Sequence, residues 1–112
     1  MIDAELTDWI RRQNRKLEIR FGGGQTERER LYARVIKLNE EVGELCDEIL
    51  ALNNDQREEK MRGRSGDNLS HEIADVLIVT LLIAEYLGLD PSDALRKKIA
   101  RIDEHFKDVK TD

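Results

Sequence analysis

Two short acidic motifs carry the residue types that could do chemistry. The first is Glu40-Glu41-Val42-Gly43-Glu44, and the second, about thirty residues later, is His71-Glu72-Ile73-Ala74-Asp75. Residues three apart on a helix are neighbours on one face, so Glu41 with Glu44, and Glu72 with Asp75, form two carboxylate pairs if both segments are helical. Two such helices side by side direct four carboxylates into one small space. At an effective dielectric near 20 and a separation of about 5 Å, each like-charged pair costs roughly 3 kcal/mol, so the cluster calls for a cation. Oxygen-only ligands, with no thiol and no paired imidazole, favour a hard ion such as Mg²⁺ or Mn²⁺. His71 is expected to stay outside the ligand set, because its neighbour Glu72 already fills that role.

The elements that must position these groups are helices. Charged residues make up 38% of the 112-residue chain, aromatics 4%, and there is one Pro, a balance of good helix formers that points to an all-α fold. The length suits a single domain spanning residues 1–112, and a catalytic pocket at this size is expected to need a second copy of the chain. A formal net charge of −5 argues against nucleic-acid or anionic-membrane partners, which favour a basic surface. The start, Met1-Ile2-Asp3-Ala4-Glu5, has no apolar signal core, and no apolar run approaches membrane length. A soluble cytoplasmic protein is the expectation. The lone Cys46 sits on an apolar-patterned helix and reads as an inert buried thiol.

Along the chain, Leu6, Ile10 and Leu17 with Trp9 give a first amphipathic helix from about Asp3 to Arg20. Gly22-Gly23-Gly24 then reads as a turn, since no Gly-Lys-Ser/Thr follows to make a phosphate cradle. Trp9 and Phe21 are expected in core packing rather than stacked on a base. Thr26-Glu27-Arg28-Glu29 has the form of a capping box and opens a long second helix. Leu31, Val35, Leu38, Val42, Leu45, Ile49 and Leu52 recur at alternating steps of four and three, laying one apolar stripe along it. At 100° per residue Glu41, Glu44 and Glu48 border that stripe, with Glu40 further round. Gly43 lowers helix propensity by about 1 kcal/mol relative to Ala, a position open to close approach by another backbone or a ligand. The polar stretch 55–66, with Arg57, Lys60, Arg62 and Arg64, reads as a connection.

A third helix, capped near Asp67 and ending before Gly88, is apolar on every side through Val76-Leu77-Ile78-Val79-Thr80-Leu81-Leu82-Ile83-Ala84. One partner stripe cannot cover such a helix, so part of it is expected to meet another subunit. Asp90 and Pro91 announce a fourth helix, striped by Leu95, Ile99, Ile102, Phe106 and Val109.

These motifs, with Lys-Leu-x-Glu-Glu-x-Gly-Glu-Leu around the first and Glu-Ile-Ala-Asp-Val-Leu around the second, resemble those of the MazG-like all-α nucleoside triphosphate pyrophosphohydrolases. The resemblance covers about Leu31 to Arg101 and includes a following Leu-Gly-Leu-Asp turn. It implies a four-helix bundle completed by oligomerisation as a homodimer or homotetramer, and Mg²⁺-dependent cleavage of a (deoxy)nucleoside triphosphate to the monophosphate and pyrophosphate, with house-cleaning of non-standard nucleotides as a role. By position it makes Glu41, Glu44, Glu72 and Asp75 the metal ligands, with Glu41 catalytic through the metal. Glu40 becomes a second catalytic group, orienting water or holding a further ion. Cations must also offset charge on the leaving pyrophosphate; Lys37, Lys97, Lys98 and Arg101 are the candidates, and the substrate-binding set is taken as Lys37, Lys98 and Arg101. The family often has an Asn where this chain reads Lys97-Lys98-Ile99-Ala100-Arg101.

Two other readings fit the same residues. A non-catalytic helical oligomerisation module would leave the carboxylates as a solvated face, with no specific need for a divalent ion. A phosphoribosyl-ATP pyrophosphohydrolase would keep the metal site and change the substrate. A di-iron carboxylate bundle wants Glu-x-x-His pairs, and neither motif supplies one.

Overall fold

A computed structural model describes residues 1–52 and 66–111, with the side chains of residues 66 and 67 outside that description. Four helices follow in order: α1 (Ala4–Phe21), α2 (Glu27–Leu52), α3 (Gly66–Tyr86) and α4 (Pro91–His105). There is no strand among the described residues, so the all-α expectation holds. None of their helices is long and apolar enough to cross a membrane.

The ends of the helices follow local chemistry. Asp3 caps α1, its carboxylate accepting from the Leu6 N–H at 2.8 Å. At the start of α2 the Thr26 N–H donates to Glu29 Oε1 (2.9 Å) and the Glu29 N–H donates to Thr26 Oγ1 (3.1 Å), closing the capping box. Gly22 ends α1, where a Cβ would lie 2.7 Å from the Glu18 carbonyl oxygen and 2.8 Å from Arg30 Cδ. Gly88 has φ +71°, the left-handed conformation that stops α3. Asp90 then caps α4 through the Ser92 and Asp93 N–H groups, with Pro91 at the first helical position. The basic connection Arg57, Lys60, Arg62 and Arg64, and the expected cap at Asp67, lie outside the described residues.

α2 and α3 form the main hairpin, and α1 lies along α3. Asn14 donates to the Leu82 carbonyl (3.1 Å) and Arg11 pairs with Glu85 (2.9 Å), fixing α1 to α3. The Tyr86 hydroxyl donates to the Glu27 carbonyl at 2.7 Å and ties the end of α3 to the start of α2. α4 is joined at its first turn, where Ser92 Oγ accepts from the Ile2 N–H at 3.0 Å. Beyond that turn it makes little contact with the other helices, leaving an apolar groove of about 730 Å³ between α3 and α4.

The core is small. Ile10, Ala51, Val79 and Leu82 are the buried apolar side chains among the described residues. The radius of gyration is 17.8 Å, against about 13 Å for a compact chain of this length. Several sequence expectations are corrected accordingly. The α4 stripe from Leu95 to Val109 is 42–65% exposed, with no helix packed along it among the described residues, and Val109 lies past the helix end. Phe21 is exposed rather than in the core. α3, as expected of a helix that one partner stripe cannot cover, leaves Ile73 and Leu77 at the surface. Cys46 is exposed, on a flank of α2 that α3 does not cover.

Candidate metal centre

Arg34, Glu41 and Glu48 are spaced by seven residues, nearly two helical turns, and so share one face of α2. That face is the one that meets α3. Glu41 is 6% exposed, a burial that carboxylates tolerate only with compensation. On α3, Glu72 and Asp75 are one turn apart and face the same interface. Oxygens of Glu41, Glu72 and Asp75 all lie within 4.8 Å of one another. The α2–α3 packing therefore gathers both sequence motifs into one centre.

Compensation for this charge is incomplete among the described residues. Lys37, one turn before Glu41, places Nζ 3.1 Å from Glu41 Oε1 and 3.6 Å from Glu40 Oε2. The hydrogen bond to Glu41, and its charge, raise the Lys37 pKa above the ordinary lysine value. Glu41 Oε2 and Glu72 Oε2 are shut off from solvent and have no hydrogen-bond partner. Glu44 stands at the rim: the negative charge of Glu41, a shared hydrogen bond with it, and then Glu72 raise its pKa above the ordinary carboxylate value. An ion about 2.1 Å from each ligand needs oxygens about 4 Å apart or less, so the triad is a small side-chain rotation from a ligand set. Two orphaned oxygens and an all-oxygen donor set fit a hard divalent cation.

The remaining predicted residues are placed as follows. Glu40 is exposed beside the centre, its carboxylate turned to Lys37. His71 is exposed and outside the triad. Lys98 lines the apolar groove with Ala74, Leu77 and Leu81, on the side of α3 roughly opposite Glu72 and Asp75. Arg101 is exposed one turn further along α4, and Lys97 is paired with Asp93 at 2.9 Å. Within one chain, Lys37 is thus the predicted cation that reaches the acidic centre. A Cβ on Gly43 meets nothing within 4 Å, so no backbone approaches it among the described residues.

One group went unread in the sequence. Arg34 shares the α3-facing side of α2 with Glu41, is half-buried, and its Nε has no partner. Burial lowers its pKa, with the Tyr86 hydroxyl opposing. The seven-residue spacing to Glu41 was the available signal, hidden because an arginine at such a position reads as an exposed charge.

Comparison with curated proteins and with solved structures returns no significant match. The family model of the MazG nucleotide pyrophosphohydrolase domain matches residues 30–109, a span that holds both acidic motifs and α2, α3 and α4. With the acidic centre lying inside that span, the chain belongs to the MazG nucleotide pyrophosphohydrolase domain family.

Proposed function

We propose that the chain is a Mg²⁺-dependent nucleoside triphosphate pyrophosphohydrolase, releasing pyrophosphate and the monophosphate of a ribo- or deoxyribonucleotide. The observation that carries this reading is the triad Glu41, Glu72 and Asp75, with two orphaned oxygens inside the MazG span. These three residues would hold the ion, with Glu44 closing the set from the rim; Mn²⁺ suits the same donors. When bound, the ion neutralises phosphate oxygens and lowers the pKa of a coordinated water. Glu40, exposed beside the centre, accepts a proton from the attacking water. Lys37 Nζ, already at the centre, turns from Glu41 towards the charge that builds on the leaving pyrophosphate. Lys98 and Arg101 serve as substrate cations from a neighbouring copy, because α3 separates them from the centre of their own chain.

The reading includes residues 1–112 as one domain, assembled as a homodimer or homotetramer in the cytoplasm, clearing non-standard nucleotides. The small core and exposed apolar faces support assembly. The deciding experiment is pyrophosphate release from a panel of nucleoside triphosphates and phosphoribosyl-ATP, with Mg²⁺ or with chelator, for the native chain, Glu41→Gln and Asp75→Asn. Mg²⁺-dependent release from a nucleoside triphosphate, lost in both folded variants, is the expected result. Release from phosphoribosyl-ATP alone would transfer the chemistry to that substrate. No release, with the variants unchanged in metal binding, would leave a helical assembly module.

A further inference from the structure

Glu41 is the fourth member of a row on α2. Arg30, Arg34, Lys37 and Glu41 follow at steps of four, three and four, which at 100° per residue keeps them within about 60° of one another on the side of the helix that meets α3. Glu44 and Glu48 continue that side beyond Glu41. The row is therefore divided by sign. Three cations lead into the acidic centre from the start of α2, and carboxylates follow it.

Lys37 is answered by Glu41 and Glu40, but the two arginines are not answered. Arg34 is half-buried, and its Nε is closed off from solvent with no acceptor. Arg30, one turn earlier, is half-buried as well; one terminal nitrogen donates to the Gln25 carbonyl at 2.8 Å, yet its Nε is orphaned in the same way. Neither joins an ion pair among the described residues. Like charges four apart on a helix repel, and a guanidinium donor shut away from water without an acceptor is unfavourable. An anion lying between the two side chains relieves both.

We infer that Arg34, with Arg30 behind it, binds the phosphate groups of the substrate that lie beyond the metal ion, so that the polyphosphate runs from the acidic centre towards the start of α2. The assignment rests on the functional reading and adds a direction to it. A polyphosphate anchored at Glu41 by a cation meets the Glu44 carboxylate if it runs one way along α2, and Lys37, Arg34 and Arg30 if it runs the other. At 1.5 Å per residue the Arg34 backbone lies about 10 Å along the axis from Glu41, and that of Arg30 about 16 Å. The phosphates farthest from the ion therefore fall to Arg34 first and to Arg30 after it. Arginine suits the place because its planar fork grips a phosphate through two parallel hydrogen bonds. The orphaned Nε supplies one half of such a fork.

Binding of inorganic pyrophosphate and of inorganic tripolyphosphate, each with Mg²⁺, separates this role from hydrolysis and from stability. Isothermal titration calorimetry is run on the native chain, Arg34→Gln, Arg34→Lys and Arg28→Gln, the last an exposed arginine on another side of the same helix. The native chain is expected to bind tripolyphosphate more tightly than pyrophosphate. Arg34→Gln should lose about tenfold on tripolyphosphate and less than about threefold on pyrophosphate, Arg34→Lys should recover part of the loss, and Arg28→Gln should match the native chain. With a nucleoside triphosphate, Arg34→Gln should raise KM about tenfold and leave kcat nearly unchanged, as a contact made equally before and during the reaction does. Equal native affinity for the two anions, or equal losses on both in Arg34→Gln with the circular dichroism spectrum retained, would overturn the assignment. If Arg34→Gln does not fold, Arg34→Lys decides, and native affinity for tripolyphosphate in that variant would overturn it as well. Length-dependent binding that is lost in Arg34→Gln, with no hydrolysis of any nucleoside triphosphate, would keep the site and reject the enzyme reading alone.

Discussion

The α2–α3 interface and the α4 helix divide the molecule into two kinds of unfinished surface. Between α2 and α3, charge is collected: a buried glutamate, two orphaned carboxylate oxygens and one lysine stand together. Along α4, apolar side chains are collected: Leu95, Ile99 and Ile102 stand half in water, with Lys98 beside Leu95 in the groove. Among the described residues the first region gathers acidic groups and the second gathers exposed apolar ones.

Five substitutions test that contrast. On the proposed function, Glu41→Gln is expected to lower kcat/KM at least about 1,000-fold, roughly 4 kcal/mol, with the circular dichroism spectrum retained. A loss below tenfold would remove the triad from the reaction. Leu82→Ala empties a buried site beneath α1 and α2 and is expected to destabilise by about 3 kcal/mol. Leu95→Ala on the open α4 stripe should cost well under about 1 kcal/mol in the monomer. Equal denaturation midpoints for the two would erase the difference between the regions.

Lys37→Ala takes the cation from Glu41 and the substrate together, with an expected loss of about 10- to 30-fold in kcat/KM, roughly 1.4 to 2 kcal/mol, read by pyrophosphate release. Thr26→Ala opens the capping box far from both regions at about 1 kcal/mol. The bonds from the Thr26 backbone and hydroxyl lower the Glu29 pKa below 4.5. A carboxylate with a depressed folded pKa contributes stability above its unfolded value and loses it as pH falls through the folded one. Thr26→Ala keeps the backbone N–H donor and removes the hydroxyl, so it should weaken but not abolish the loss of stability as pH falls, measured by urea denaturation.

The helix termini were legible because the groups that decide them lie within a few residues. Asp3, Thr26 with Glu29, Asp90 with Pro91, and Gly88 all act where the sequence places them. The pairing of Glu41 with the Glu72–Asp75 motif was legible too, since carboxylates one turn apart on two antiparallel helices have few other places to meet. Cys46 and Phe21 were misread for one reason: an apolar pattern says that a face seeks burial, not that this chain supplies the cover. Arg34 escaped because a basic residue beside an apolar stripe carries no sign of which side the neighbour will take.

Residues one to four apart were thus enough to determine four helices, their caps and two acidic motifs on matching faces, since helical hydrogen bonds and side-chain neighbours act over that range. The rotation of α2 against α3 was decided only in three dimensions. That rotation turns Glu41 inward, leaves Glu44 at the rim and Val35, Val42 and Ile49 outside, and sets α4 across α3 from the acidic centre. It depends on how whole side-chain surfaces interdigitate, and a stripe as wide as the one on α2 permits more than one answer until the neighbours are in place.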